Sequence, residues 1–234
     1  KFLAYRFVIW NALFRSQAII TVSEYAKADI LDRYRVSSEK ITVTYEAAHP
    51  FCFRSSPESS RDFFLRLGLL ETKPESSVHG ILKPFVLSVG NAYPHKNLEA
   101  LVDAFADFPD DRALLVFVGW DEYFYPRLVR YVAAKNLSSV VFAKSVSDEE
   151  LDLLYRSARI SVFPSKYEGF GLPPLEAMGK GSPVLAANAT AFPEILDGAA
   201  DFFDPNDPGA LLRELWKLWN CKDRRKDLRD RGYR

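Results

Sequence analysis

From Lys83 onward the chain alternates between short runs of apolar, often β-branched residues and longer segments whose apolar positions recur every three or four residues. The short runs are PFVLSVG (84–90), ALLVFVG (113–119), SVVFA (139–143), ARISVFP (158–164), SPVLAAN (182–188) and ADFFD (200–204). Most are apolar at consecutive positions, which suits strands covered on both faces rather than strands with one wet face. Between them, Lys96 to Phe108 sets Leu98, Leu101, Val102 and Phe105 on one helical face; Asp207-Pro208 opens a second such helix, through Leu211, Leu212, Leu215 and Leu218. Ser147, followed by Asp148, Glu149 and Glu150, has the spacing of a capping box at a helix start. Pro173 or Pro174 stands where a first-turn proline removes no helical hydrogen bond. The alternation predicts an α/β fold, a Rossmann-like doubly wound parallel sheet beginning near residue 83.

Earlier residues read differently. QAIITVS (17–23) predicts a strand, EYAKADILDRY (24–34) a helix with Ser23 as its N-cap, and ITVTYEAAHP (41–50) a second strand. RSSPESSRD and ETKPESSVHG, on either side of a short helix-like stretch, have linker composition. The opening KFLAYRFVIWNALFR is apolar but interrupted by Arg6 and Asn11, and it lacks a small-residue cleavage site. It reads as a core-packing helix in preference to a signal peptide or a membrane-surface helix. The expected organisation is therefore 1–50, the end of a domain whose beginning lies outside the chain, then a linker over 51–82 and an α/β domain over 83–234.

Composition narrows the classes. Lys+Arg and Asp+Glu both total 31, so the net charge is zero and nothing points to nucleic acid as a partner. Cys52 and Cys221 lie far apart without metal-ligand spacing and read as reduced thiols of a cytosolic protein. No apolar run approaches the ~18 residues that mark a membrane helix.

In an open parallel sheet, ligands bind beyond the carboxyl ends of the strands. After strand 84–90 comes GNAYPHKN, where Gly90 permits a tight turn and Lys96 is expected at the start of the next helix. A cation there is unfavourable unless an anion such as phosphate is bound. After strand 158–164 comes SKYEGFGLPPLEAMGKG, in which Gly169 and Gly171 flank Phe170 and can present several backbone N–H groups at a helix start. Glu168 before the glycines and Glu176 one turn into the helix would repel phosphate, and suit hydroxyls of a sugar or ribose instead. Neither a GxGxxG nor a Walker motif occurs, and the second strand ends in Gly119-Trp120 rather than an acid, which argues against a dehydrogenase-like dinucleotide domain.

EGFGLPPLEAM, with its acids at Glu168 and Glu176, resembles the E-x7-E motif of glycosyltransferase family 4. The resemblance extends to VGNAYPHKNLEALVDAF, VSDEELDLLY and NATAFPEIL, and residues 17–50 resemble the end of that family's acceptor-side domain. It implies the two-domain GT-B fold and a retaining hexosyltransferase whose second half binds a nucleotide-sugar donor. Carried over, Lys96 would hold the diphosphate beside Gly90 and Asn91, and Glu176 would bind the ribose. Glu168 would meet the donor sugar, with Lys96 and Glu168 as the catalytic pair. The amides of Gly169, Phe170, Gly171 and Leu172 would contact the sugar and distal phosphate, and the base would lie at Ser145 and Val146. Many members carry an Arg where Asn91 stands; His95, or Lys144 from the segment VVFAKSVSDEEL, is a candidate for the missing positive charge. Glu194 reads as structural. Trp216 and Trp219 read as helix-to-sheet packing, and Tyr123-Phe124-Tyr125 as lining either the cleft or the surface.

The wording GFGLPPLEAM is common among mannosyltransferase-like members, so GDP-mannose is the implied donor. The acceptor would be a glycan or lipid-linked sugar, with the missing amino-terminal domain as a further partner and peripheral association with the cytoplasmic side of a membrane. No cofactor is implied and no metal is expected, in keeping with the absence of an Asp-x-Asp triplet. The chain alone is expected to transfer sugar poorly. A catalytically inactive binding or assembly module and a sugar-nucleotide epimerase of the same fold remain as alternatives. A glycosidase acid–nucleophile pair is disfavoured, because Glu176 near a helix N-terminus stays ionised.

Overall fold

The computed structural model describes residues 2–48, 56–71 and 81–233, so Cys52 and residues 51–55 and 72–80 of the expected linker lie outside the described residues. The first segment carries α1 (Phe2–Arg15), β1 (Ile19–Thr21), α2 (Glu24–Arg33) and β2 (Ile41–Val43). It is followed by α3 (Pro57–Arg66), β3 (Leu70–Glu71) and β4 (Ile81–Leu82). The remainder alternates β5 (Phe85–Val89), α4 (Leu98–Ala106), β6 (Leu114–Val118), α5 (Phe124–Ala134), β7 (Val140–Ala143) and α6 (Asp148–Ser157). It continues through β8 (Ile160–Phe163), α7 (Leu172–Gly179), β9 (Val184–Ala187), α8 (Phe192–Leu196), β10 (Asp201–Phe203), α9 (Ala210–Asn220) and α10 (Lys222–Gly232).

All six runs expected as strands after residue 83 are strands of one parallel sheet, in the order β10-β9-β8-β5-β6-β7. After β5 the chain moves outward through β6 and β7, then returns to the opposite side of β5 as β8. Loops leaving β5 and β8 therefore diverge and open a crevice at the carboxyl ends of those strands, the topological switch point of the sheet.

Consecutive apolar residues explain why the sheet is covered twice. Val86, Leu115, Phe117, Ile160, Val162 and Leu185 point to one side and pack with residues of α4, α5 and α9. Their neighbours Phe85, Leu87, Val116, Val118, Phe163 and Val184 point to the other, against residues of α3, α6, α7 and α8. Each such side chain is almost wholly buried, which stabilises the fold by about 1.5–3 kcal/mol apiece. Trp219 is part of the first layer, its indole N–H donating to Asp110 Oδ2 at 3.1 Å, while Trp216 meets Phe108 at the rim. The capping box at Ser147 forms in full.

In the first segment β1 and β2 pair in parallel, Ile19 opposite Ile41, and Ser23 Oγ caps α2 by accepting Ala26 N–H at 3.0 Å. Three expectations need correction. The second strand is shorter than residues 41–50, ending at Val43. Of the stretch read as linker, residues 56–71 hold a helix and a strand, and Phe63, Phe64 and Leu69 are buried against the sheet. All three lie in the short helix-like stretch between the two polar segments. The opening helix does not enter a core: Tyr5, Phe7, Val8, Trp10 and Phe14 are exposed, Trp10 stacking between Phe7 and Phe14. Its apolar residues run around the whole circumference, so only one side, with Ile9 and Leu13 half-buried, faces the rest of the chain. Among the described residues, no helix is long and apolar enough to cross a membrane.

Candidate functional site

Two strand-end glycines form a floor where the loops leaving β5 and β6 meet. Gly90 (φ +144°) donates its N–H to Val118 O at 2.9 Å and accepts the Tyr125 hydroxyl at 2.7 Å. Gly119 (φ +132°) passes so close that a Cβ there would lie 2.2 Å from Gly90 O. Burial raises the Tyr125 hydroxyl far above its ordinary pKa, so it remains a proton donor to Gly90. This settles the place of Tyr125 in the aromatic triplet: it is buried, while Tyr123 is exposed.

Asp121, which sequence reasoning passed over, ties this floor together. Its Oδ2 accepts Ala92 N–H at 3.3 Å, and its Oδ1 accepts the N–H groups of Tyr123 (3.0 Å), Phe124 and Tyr125 (3.3 Å) at the start of α5. Burial opposes ionisation of the carboxyl, but these amide donors together outweigh it and hold Asp121 below the usual carboxylate range. An Asp just ahead of a helix start was the available signal.

Lys96 sits in a 3-10 turn (Pro94–Lys96), not at the start of α4 as expected. The following Asn97 adopts a left-handed conformation (φ +56°) that separates the turn from the helix. Asn97 Nδ2 donates to Pro164 O at 3.2 Å and Lys166 N–H to His95 O at 2.8 Å, which pins the turn to the loop after β8. Lys96 Nζ consequently lies 2.6 Å from Glu168 Oε1, with the two side chains 20% and 15% exposed. Asn91, Lys96 and Glu168 line one small cleft together with Ser165 and Pro173. Asn91 Oδ1 accepts its loop neighbour Tyr93 N–H at 3.4 Å. The side chains expected to replace an Arg are engaged elsewhere: His95 stacks on Tyr93 and Lys144 Nζ lies 4.0 Å above the Trp120 ring.

On the opposite wall is the glycine loop. Glu168 N–H donates to Thr190 Oγ1 at 3.0 Å, and Ser23 Oγ donates to Gly169 O at 2.6 Å. Phe170 is buried, and Gly171 (φ +104°) passes so close to Phe192 that a Cβ would lie 2.5 Å from Cε1. Among the described residues, the N–H groups of Gly169, Phe170, Gly171 and Leu172 have no protein acceptor, and they lead into the N-terminus of α7. Such a row of unpaired amides is where an anion or a ligand oxygen is stabilised. Glu176, one turn on, accepts the Tyr155 hydroxyl at 3.1 Å. Burial first, then the charge and hydrogen bond of Glu176, hold the Tyr155 proton in place well above the ordinary range. Exposed Ser145 and half-buried Val146 follow β7, separated from β5 by β6. Glu194 accepts Glu24 N–H (2.7 Å) and Tyr25 N–H (2.9 Å), joining α8 to α2. Among the described residues, no three His, Cys, Asp or Glu side chains come together as metal ligands.

The family model described as "Glycosyl transferases group 1" matches residues 71–234. The chain is 30% identical to the O-antigen chain mannosyltransferase RfbU of Salmonella typhimurium, over 87% of this chain and 51% of that protein. It is 31% identical to the MMP alpha-(1->4)-mannosyltransferase of Mycolicibacterium hassiacum, over 92% and 48% respectively. It thus spans about half the length of these curated relatives. Among solved structures it is similar to sucrose-phosphate synthase from Thermosynechococcus elongatus (TM-score 0.78, 24% identity, 97% of this chain and 55% of that one). It is also similar to the Anabaena protein HepE in complex with UDP and glucose (TM-score 0.80, 19% identity, 97% and 60%). At these identities the structural likeness establishes the fold, that of a GT-B glycosyltransferase's carboxyl-terminal Rossmann-like domain.

Proposed function

The chain belongs to the group 1 glycosyl transferases, and from that premise we propose that it forms the nucleotide-sugar-binding side of a retaining, family 4-type hexosyltransferase. The observation that carries this reading is the meeting of Lys96 and Glu168 beside the unpaired amides of the glycine loop, at the switch point between β5 and β8. The diphosphate of the donor lies against Lys96 and the N-terminus of α7. Glu176, oriented by Tyr155, receives the ribose hydroxyls, and Glu168 receives a hydroxyl of the transferred sugar. Ser145 and Val146 border the base.

In the transfer step the bond between the anomeric carbon and the distal phosphate oxygen breaks. A bond to the acceptor oxygen forms on the same face of the sugar, and the acceptor's proton is released. Negative charge builds on the departing nucleoside diphosphate, and Lys96 and the fixed amides stabilise that charge more than they stabilise the ground state. The acceptor, a glycan or lipid-linked sugar, approaches from the wall that a complete amino-terminal domain provides, at the cytoplasmic face of a membrane. The names of the relatives favour mannose, carried as GDP-mannose.

Saturation-transfer NMR on this chain with GDP-mannose and UDP-glucose tests the reading. Saturation of the ribose and anomeric protons of one donor, lost from the ribose in Glu176→Ala, is the expected outcome. Absence of transfer to either donor counts against it. Asn91, together with the engagement of His95 and Lys144 with aromatic rings, favours one second reading, a binding module without transfer. That reading is distinguished by donor binding without sugar release in the full-length protein.

A further inference from the structure

The first segment is tied to the loop after β8 by Tyr167, whose hydroxyl donates to Asp29 Oδ2 at 3.0 Å, and by Ser23 at Gly169; at Gly169 the planarity of the peptide bond extends the effect to the neighbouring amide. Ser23 Oγ donates to Gly169 O at 2.6 Å while accepting Ala26 N–H at 3.0 Å. The residue is wholly buried, so no solvent competes for its hydroxyl. The described residues contain no cis peptide bond, so the C=O of Gly169 and the N–H of Phe170 point in opposite directions. Holding Gly169 O on Ser23 therefore turns Phe170 N–H away from the first segment. Among the described residues, that N–H has no protein acceptor.

A lock is needed at this place. Residue 169 has no Cβ to restrict its backbone, and Gly171 two residues later is in a positive-φ conformation. The Phe170 ring is anchored, buried and 6.3 Å from Tyr45, but a fixed ring does not fix the peptide plane before it. Thr190 Oγ1 holds the Glu168 N–H on one side of Gly169 and Ser23 holds the carbonyl on the other. Ser23 is itself braced, because Glu194 accepts the next two amides of α2, those of Glu24 and Tyr25.

We propose that Ser23 is a positioning residue of the donor site: its hydroxyl sets the Gly169–Phe170 peptide plane so that Phe170 N–H is presented to the distal phosphate of a nucleoside diphosphate. The identity of that anion rests on the donor reading above; the orientation of the plane does not.

The test separates this role from helix capping. Glycine at an N-cap is nearly neutral for a helix, whereas it removes the hydroxyl donor, and threonine keeps both. Ser23→Gly and Ser23→Thr are compared with the parent by the 1H–15N resonance of Phe170 and by titration with GDP and GMP, repeated with UDP and UMP. Ser23→Gly is expected to shift or split the Phe170 signal while the α2 signals hold. It should weaken diphosphate binding about tenfold with monophosphate binding changed less than about twofold, as loss of one charge-assisted hydrogen bond predicts. Ser23→Thr should restore both. An unmoved Phe170 signal in Ser23→Gly, or equal loss for diphosphate and monophosphate, overturns the proposal. If the parent binds none of these nucleotides while Ser23→Gly still moves Phe170, the positioning of the plane stands and the donor reading falls.

Discussion

Lys96 Nζ and Glu168 Oε1 lie 2.6 Å apart across the crevice between the loops that follow β5 and β8. The cation and the carboxylate expected to serve the diphosphate and the sugar thus hold one another. A site built this way avoids an unpaired charge in a half-buried place.

This pairing predicts non-additive stability. Lys96→Ala and Glu168→Ala each leave a partly buried partner unpaired, whereas the double variant leaves none. With the side chains 20% and 15% exposed, we expect a coupling of about 1–2 kcal/mol, below that of a fully buried pair. Urea unfolding of the four proteins measures it; additive single effects would contradict the pairing.

Tyr155→Phe removes the hydroxyl that donates to Glu176 at 3.1 Å and leaves the buried ring in place. Loss of a hydrogen bond to a charged group is expected to weaken nucleotide binding by about 1.5 kcal/mol, roughly tenfold, through misorientation of Glu176. Titration with a nucleoside and with its diphosphate checks this, because both ligands should lose affinity alike if Glu176 serves the ribose.

Gly119→Ala should be far more damaging than Gly90→Ala. Both glycines have positive φ, so alanine is strained at either by about 1–3 kcal/mol. A Cβ at position 90 meets nothing within 4 Å, while one at position 119 lies 2.2 Å from the backbone oxygen of Gly90. Thermal unfolding should show the lower Tm for Gly119→Ala, and equal Tm values would refute the close approach of the two loops.

Asp121 gives a pH dependence of known sign. Its carboxyl is held below the usual range in the folded state, so its contribution is present above the unfolded carboxylate pKa near 3.9 and is lost as pH falls through the folded value. The Tm advantage of the parent over Asp121→Asn is expected to be constant between about pH 7 and 5 and to shrink below about pH 4. An advantage that grows on acidification contradicts the amide-held carboxylate.

The sheet was legible because burial on both faces leaves unbroken apolar runs, as in Val86, Leu87 and their neighbours, and that signal is local. Asn91 was named only through the family resemblance, whereas Lys96 and Glu168 could be named because each lies in the loop after a recognisable strand. Their mutual contact could not be read, because it joins residues 72 positions apart and depends on which strands are neighbours. The bond from Ser23 to Gly169, across 146 positions, was hidden in the same way. Lys96 was read as helical since the apolar period runs smoothly into Leu98; the left-handed Asn97 that breaks it is a backbone choice that periodicity does not report. Phe63, Phe64 and Leu69 fall in the helix-like stretch between two serine-rich segments, but that they complete the core depends on contacts with strands far along the chain.

The most direct test of the central claim is calorimetric titration of this chain with GDP, UDP and ADP, repeated on Lys96→Ala and Glu176→Ala. One nucleotide is expected to bind, and each substitution to weaken it about tenfold or more, as loss of a charge-assisted contact requires. Binding that is indifferent to both substitutions would contradict a donor site in the crevice between β5 and β8.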